Sequence, residues 1–326
     1  MTRVLLLATG DTIAHNSGRR GRPGIAPGAE LVRDVAPVLP PGLEVVAEDV
    51  MAPPSWDMPP ETMLDLARRA RAAILERDFA GVVITYGVDT MEDVAFLVDL
   101  YAGRAATRGG IVLTAASRPR DDPYPDGPGN LAASLTAAAD PALRGMGAVV
   151  CAGGELHAAR WVATVAATGG PAFSSAPHPP VGRVSGGRVS TRGAPPPRPP
   201  RLTGEPDLNV ALIMTYPGMG PEQLRTVTDM GARGVVLAGT GAGNVPVDLF
   251  AAIGGLVGQD IPVVIASRAH TGGEPLDDLP LDWGLAGKLG AIGARGLSPV
   301  KARAALMAAL AGGGGVAAAR DYFAAL

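Results

Sequence analysis

A chain of 326 residues that is 47% hydrophobic and 18% charged has room for two compact domains and is too apolar to be a disordered protein. Its net charge of −3 and aromatic content of 4% argue against a nucleic-acid partner, which requires basic surfaces and stacking side chains. The single cysteine, Cys151, excludes an internal disulfide and a multi-cysteine metal site.

Targeting, metal and nucleotide motifs are not recognisable in the sequence. The opening run MTRVLLLATG is too short for a signal peptide, and no apolar stretch reaches the ~18 residues of a membrane span. The Gly-rich turn at Gly239–Asn244 lacks the full dinucleotide fingerprint. The histidines lie in separate segments without the spacing of metal ligands, namely His15, His157, His178 and His270. We therefore expect a cytoplasmic protein with no membrane partner, metal or cofactor.

Apolar runs alternate with helical patterns through the first half of the chain. This alternation predicts parallel βαβ units in a doubly wound sheet. The segment His15–Glu30, which is rich in Gly, Arg and Pro, is expected to be a long mobile loop. Strands are predicted at Val4–Ala8, Leu43–Met51, Val82–Tyr86, Ile111–Ala115 and Ala148–Ala152. Helices are predicted at Ala29–Leu39, Glu61–Arg77, Asp89–Tyr101 and in a segment ending near Ala139.

A Pro-rich stretch divides the sequence into two domains. From Gly169 to Pro206 the chain shows little apolar periodicity, and APPPRPPR is typical of a stiff connector. We predict a larger α/β domain with a mostly parallel sheet over 1–193, a linker over 194–207 and a smaller α/β domain over 208–326. The second domain has predicted strands at Val210–Thr215, Gly234–Ala238 and Pro262–Ala266, and helices at Pro221–Met230, Val247–Val257 and Ser298–Ala311.

Two Gly-bearing turns follow predicted strands of the first domain. Asp11 and Thr12 follow the first strand, and Asp89 follows the strand that ends at Tyr86. Ligand sites of open α/β sheets gather beyond the carboxyl ends of the strands, so these turns are candidate ligand contacts. Each residue also has a plain structural interpretation. Thr12 is suited to bond its local backbone, and Asp89 with Glu92 forms a capping-box pattern.

Five motifs, in order, resemble the bacterial-type L-asparaginase (asparaginase/glutaminase) family. ATGDTIA is similar to that family's ATGGTIA, and TYGVDTMEDVAFLVDL to its THGTDTMEETAFLLDL. LTAASRPRDDPYPDGPGNL is similar to its TGAMRP…DGPxNL element, and VVLAGTGAGNVP and PVVIASR…TGG resemble its C-terminal domain. The resemblance implies an amidohydrolase that works through an acyl-enzyme. It also implies a homodimer or homotetramer whose sites are shared between subunits.

The resemblance also implies roles for individual residues. Thr12 matches the nucleophile, Ser55 the Ser that holds the substrate's carboxylate, and Asp89 the Asp that holds its amino group. Asn244 matches an Asn that the neighbouring subunit's site uses, and Trp56 occupies a Gln position. Ser55 lies between prolines, so a plain turn residue is the other interpretation.

Several catalytic groups of the family are replaced. Val88 stands where the family has its second Thr, Thr164 occupies the Lys position, and the loop His15–Glu30 contains no Tyr. Asp11 replaces a Gly and Tyr86 replaces a His. One hypothesis makes Asp11 a base and Tyr86 an acid, since both lie at adjacent strand ends. The other has Asp11 binding backbone amides and Tyr86 packing in the core.

These observations predict an asparaginase-family amidohydrolase with altered catalytic groups. Its partner is a small amino-acid-like substrate carrying an amide or imide, and free asparagine is expected to be a poor one because general acid–base help contributes ~10²–10⁴-fold in rate. Two alternatives stay open. One is a repurposed enzyme of specialised metabolism that performs elimination or cyclisation, and the other is an inactive homologue that binds an amino acid.

Overall fold

The computed structural model divides the chain into two compact units, Met1–Pro196 and Pro197–Leu326. None of the helices it describes is long and apolar enough to cross a membrane. The structure describes residues 2–19, 21, 23–50, 53–166, 170–193, 195–200, 202, 204–269 and 284–326.

The first unit is built on an eight-stranded sheet. Its strands are β1 (Thr2–Ala8), β4 (Leu43–Asp49), β5 (Gly81–Thr85), β6 (Gly110–Thr114), β7 (Ala148–Ala152), β8 (Glu155–Ala158), β11 (Gly182–Ser185) and β12 (Arg188–Thr191). Their order across the sheet is β12-β11-β8-β7-β6-β5-β1-β4. Strands β4, β1, β5, β6 and β7 pair in parallel, and β8, β11 and β12 continue the sheet with antiparallel pairs. The predicted doubly wound, mostly parallel sheet is therefore confirmed.

Helices cover both faces of this sheet. Val4 and Leu6 pack with residues of α1 (Gly28–Val35) and α4 (Gly127–Ala139) in one apolar cluster. Successive strand residues point to opposite faces, so the equally buried Leu5 and Leu7 require cover on the other side. The mutually packed α2 (Pro60–Glu76) and α3 (Met91–Ala102) contact the sheet as well. Burial on both faces explains why the central strands are continuous apolar runs.

The segment predicted as a mobile loop contains a short hairpin. His15–Asn16 (β2) pairs antiparallel with Gly24–Ile25 (β3). Asp121 anchors it from another part of the chain, because its carboxylate accepts hydrogen bonds from Ser17 N and Ser17 Oγ at 2.9 Å and from Arg19 N at 2.8 Å. The loop prediction missed this anchor because its carboxylate lies more than a hundred residues away in sequence.

The stretch from Gly169 to Pro206, in which no strand was predicted, contains short strands among its described residues. Ala163–Thr164 (β9) pairs with Phe173–Ser174 (β10), and β11 and β12 form a hairpin. Gly186 and Gly187 connect that hairpin with φ of 55° and 72°. A two-residue hairpin turn with both φ values positive favours Gly-Gly, so RVSGGRVS carried a readable hairpin signal.

The second unit has a parallel four-stranded sheet. Its strands, in the order in which they lie in the sheet, are β13 (Val210–Met214), β14 (Gly234–Gly239), β15 (Val263–Ser267) and β16 (Ile292–Gly293). The helices are α5 (Glu222–Asp229), α6 (Phe250–Gly258), α7 (Leu285–Lys288), α8 (Pro299–Ala309) and α9 (Val316–Ala324). The short strand β16 and the helices α7 and α9 had no sequence prediction. The other elements lie close to their predicted positions, and α8 begins one residue after its predicted start at Ser298.

Replacing Asp121 with Asn is expected to loosen the β2–β3 hairpin. Its hydrogen bonds, led by that from Ser17 N, lower the pKa of Asp121 to about 2, so the stabilisation is complete above the ordinary pKa of ~3.9 and lost as the pH falls toward about 2. Tryptic cleavage after Arg19 at neutral pH should be several-fold faster in the Asp121→Asn variant than in the wild type.

Asp122 provides the matched control for this prediction. It meets Arg19 in an exposed ion pair at 3.0 Å, and such pairs contribute little stability. Asp122→Asn should therefore leave the cleavage rate close to that of the wild type. If tryptic cleavage were equally faster in both variants, the negative charge of this segment would hold the hairpin, and not the hydrogen bonds to Asp121.

Candidate active site

The turn after β1 places a carboxylate against a hydroxyl. Asp11 caps a 3-10 helix formed by Thr12–Ala14, and its Oδ1 accepts a hydrogen bond from Thr12 N at 2.7 Å. The same Oδ1 accepts the Thr12 hydroxyl at 3.3 Å. Asp11 Oδ2 accepts a hydrogen bond from Ser55 N at 3.1 Å. One carboxylate therefore links the first turn to the segment that contains Ser55.

Asp11 adopts a backbone conformation that is normally restricted to glycine. Its φ of 62° and ψ of −165° lie outside the left-handed helical region that Asp tolerates. Holding a side-chain-bearing residue there costs about 1–3 kcal/mol, and such outliers concentrate at functional sites. The three hydrogen bonds to its carboxylate offset part of this cost.

Gly87 allows three segments to meet. A methyl group built on Gly87 would clash with Ser55 Oγ, Ser55 Cβ and Asp11 Oδ2. The turn after β5 is also tied to the turn after β1, because Thr9 Oγ1 donates to the carbonyl of Thr85 at 2.7 Å. Only a residue without Cβ lets the two turns and the Ser55 segment approach this closely.

Ser55 and Asp89 are brought together, although not as the capping box predicted. Ser55 begins a 3-10 helix (Ser55–Asp57), is 1% exposed and donates its hydroxyl to Asp89 Oδ2 at 2.9 Å. The helix α3 begins at Met91 with Thr90 as N-cap and no side-chain cap bond. The capping-box prediction for Asp89 was therefore wrong, because the Asp89 carboxylate is engaged by Ser55.

Tyr86 lies in the core rather than at a cavity wall. It is 1% exposed, and its hydroxyl meets Thr90 Oγ1 at 3.2 Å. Thr90 Oγ1 in turn lies 2.7 Å from the carbonyl of Ser55, to which it donates. Burial, reinforced by the charges of Asp93 and Asp11, raises the pKa of Tyr86 above its ordinary value. This geometry favours a packing and positioning role for Tyr86.

Small-molecule sites are typically cavities of about 300–1,000 Å³. One of 680 Å³ opens beside Thr12. Asp11 and Thr12 contribute polar groups to its wall, while Ile25 and Trp56 contribute large apolar side chains. Trp56 is 69% exposed. Three predicted site residues, Asp11, Thr12 and Trp56, thus share one cavity.

Val88 lines a different cavity of 560 Å³. The carbonyl of Val88 accepts the Thr164 hydroxyl at 3.4 Å, and Thr164 N donates to Glu92 Oε1 at the same distance. His157 also lines this cavity, and sequence reasoning gave it no role. It is 4% exposed and its Nδ1 lies 2.7 Å from Ser175 Oγ, a pairing between separate segments that no local motif announces.

Asn244 belongs to the second unit. It ends a tight turn in which Thr240 N donates to the Asn244 carbonyl at 2.9 Å and Asn244 N donates to the Thr240 carbonyl at 2.8 Å.

The single cysteine and the described metal-ligating side chains form no further reactive site. Cys151 is fully buried, and burial raises the pKa of its thiol to about 11. Among the residues that the structure describes, no group of three or more His, Cys, Asp or Glu side chains could hold a metal ion. Met51, His270 and the Thr271–Gly273 part of the fifth motif lie outside the described residues.

Two family models together match most of the chain. Asparaginase, N-terminal, matches residues 3–197, and the Glutaminase/Asparaginase C-terminal domain matches residues 209–323. The chain belongs to the asparaginase family.

Relatives of this asparaginase-family chain extend over nearly its whole length. A probable L-asparaginase of Deinococcus radiodurans is 33% identical over 323 residues, which cover 95% of this chain and 93% of the relative. A probable periplasmic L-asparaginase of Haemophilus influenzae is 30% identical over 322 residues, covering 95% and 89%. The crystal structure of a probable cytoplasmic L-asparaginase from Campylobacter jejuni has a TM-score of 0.84 at 27% identity and covers 99% of both chains.

Backbone strain at Asp11 should be visible in a pair of variants. Asp11→Gly and Asp11→Ala both remove the carboxylate, but only alanine keeps the unfavourable backbone conformation. The Gly variant should therefore have a free energy of unfolding about 1–3 kcal/mol higher than the Ala variant, measured by urea denaturation.

The same pair of substitutions at Asp57 serves as the control. Asp57 lies in a 3-10 helix and its φ is not positive. At position 57 the Ala variant should be at least as stable as the Gly variant, because glycine loses more conformational freedom on folding. If Asp11→Ala is as stable as Asp11→Gly, residue 11 is unstrained.

Proposed function

We propose that this chain is an amidohydrolase that cleaves the side-chain amide of an amino-acid-like substrate, with Thr12 as nucleophile and Asp11 as its base. The observation that carries the proposal is the 3.3 Å contact between Thr12 Oγ1 and Asp11 Oδ1. A hydroxyl is a weak nucleophile until a neighbouring base accepts its proton. Because Asp11 stands where the family resemblance places a Gly, it supplies a base that compensates for replaced catalytic groups.

The proposed reaction has two steps. In the first, Thr12 Oγ1 bonds to the amide carbon while its proton passes to Asp11. The C–N bond then breaks, and Asp11 returns that proton to the departing amine. In the second step, Asp11 accepts a proton from water, whose oxygen attacks the Thr12 ester. Cleavage of the ester bond releases the carboxylic acid, and Asp11 passes the proton to Thr12 Oγ1, which restores the hydroxyl.

Substrate binding is assigned to the groups around the two turns. Asp89 is an exposed carboxylate, which suits the ammonium group of an amino acid. Ser55 is buried against it, so it aligns the Asp89 carboxylate through their 2.9 Å hydrogen bond. Trp56 lines the cavity beside Thr12 and Val88 lines the 560 Å³ cavity, and both are proposed to contact the substrate there.

The non-hydrolytic alternative has less support. Elimination or cyclisation with Asp11 as base would use Tyr86 as acid, yet the Tyr86 hydroxyl is buried, meets Thr90 and has a raised pKa. A phenol in that position is a poor proton donor to a ligand. The third interpretation, an inactive amino-acid-binding homologue, differs in having no turnover.

Assembly and location are part of the same proposal. We expect a cytoplasmic homodimer or homotetramer, in which Asn244 of the partner subunit completes the site. The family resemblance supports the shared site. The relatives named above include one called cytoplasmic and one called periplasmic, so fractionation of the native cells is the direct test of location. Light scattering of the purified protein gives the oligomeric state.

The proposal is tested by amide hydrolysis in Thr12→Ala and Asp11→Asn variants. Asparagine at position 11 can still accept the hydrogen bond from Thr12 N, so the turn is retained while the base is lost. Ammonia release from L-asparagine, L-glutamine and related amides should fall ~10²–10⁴-fold in Asp11→Asn and to background in Thr12→Ala.

Asp57→Asn is the matched control, since Asp57 is an exposed carboxylate two residues beyond Ser55. Its turnover should equal that of the wild type. Full activity in Asp11→Asn would exclude Asp11 as the base. Wild-type protein that hydrolyses no amide but binds an amino acid would support the inactive homologue instead.

A further inference from the structure

The cavity beside Thr12 is larger and more apolar than hydrolysis of a primary amide requires. Its volume is 680 Å³, and its apolar lining includes Pro27, Pro53 and Pro54. Ammonia, the leaving group of free asparagine, would leave this space unused. Ligand cavities of this size with mainly apolar walls accommodate molecules well above the size of a single amino acid.

Two large apolar side chains are exposed at this cavity. Ile25 is 57% exposed and Trp56 is 69% exposed, although both line the cavity. They come from separate elements, since Ile25 belongs to the strand β3 and Trp56 to the 3-10 helix at Ser55–Asp57. Exposed apolar side chains that converge on a cavity next to a candidate nucleophile indicate contact with an apolar ligand group.

Ile25 lies directly over the turn that carries Thr12. A methyl group built on Gly10 would be 3.3 Å from Ile25 Cγ2, so the isoleucine packs against the backbone of this turn. The hairpin that carries Ile25 is held by the Asp121 anchor. The apolar wall is therefore fixed next to the nucleophile by the fold.

The cavity lies on one side of Thr12 and the amino-group contacts lie outside it. Asp11 and Thr12 line it, whereas Ser55 and Asp89 do not. A substrate held by Asp89 with its amide carbon at Thr12 would direct its departing half into the apolar space. We propose, building on the proposed function, that the substrate is a secondary amide whose departing amine carries an apolar group, with an aromatic ring suited to Trp56.

The chemistry of this substrate class is balanced as before. The bond from Thr12 Oγ1 to the acyl carbon forms, the C–N bond of the secondary amide breaks, and Asp11 transfers the Thr12 proton to the departing primary amine. Water then hydrolyses the ester to the carboxylic acid. Retaining the amine's apolar group in the cavity until the C–N bond breaks adds binding energy next to the reacting atoms.

The test compares L-asparagine with Nγ-benzyl-L-asparagine. Calorimetry on the Thr12→Ala variant measures binding without turnover, and the benzyl amide should bind at least ~10-fold more tightly because its ring is buried against Trp56 and Ile25. Adding Trp56→Ala or Ile25→Ala should remove most of this preference, and Ile25→Ala should leave asparagine binding unchanged within about twofold. In protein with Thr12 intact, benzylamine release should be faster than ammonia release.

Val38→Ala is the matched control, because Val38 is an equally exposed apolar residue (69%) that does not line the cavity. It should retain the full preference for the benzyl amide. Equal binding of the two ligands, or a preference that survives both cavity substitutions, overturns the inference. Tighter binding of the benzyl amide without turnover of either ligand upholds the apolar subsite and instead contradicts the proposed hydrolysis.

Discussion

The arrangement of the site depends on one carboxylate held in an unfavourable backbone conformation. Asp11 accepts hydrogen bonds from Thr12 and from Ser55 N, so it joins the end of β1 to the Ser55 segment. Its glycine-like φ and ψ direct the side chain back across the turn. Because the central strands are buried on both faces, the sheet gives this turn a rigid support. A site built on such a support keeps its geometry without a bound ligand.

The parts of the fold that sequence predicted well are those with the strongest pattern. Val4–Ala8 and Val82–Thr85 are continuous apolar runs because both of their faces are buried, and such runs are visible without a structure. The β11–β12 hairpin was missed because its residues are largely exposed and so carry no hydrophobic period. Its signal lay in the Gly186-Gly187 turn. Short elements such as β16 have too few residues for any period to show.

The candidate site, like the fold, was predicted from the sequence only in part. Position on a Gly-bearing turn after a strand was enough to single out Asp11, Thr12 and Asp89. Sequence did not reveal which partner each side chain takes, because these partners come from distant segments. The capping-box pattern paired Asp89 with Glu92 of its own segment, whereas Ser55 engages it from 34 residues away. Tyr86 was placed correctly at a strand end, but its burial depends on packing that no local pattern records.

The crowding around Gly87 constrains the order in which this site can evolve. Ser55 and Asp11 both occupy the space that a side chain at residue 87 would need. A change from Asp11 to Gly would still leave Ser55 in the way, and a change at Ser55 would still leave the carboxylate. Any larger residue at position 87 is therefore accessible only after both neighbours have changed. The three positions form an epistatic unit, in which the first substitution at residue 87 is the one that selection removes.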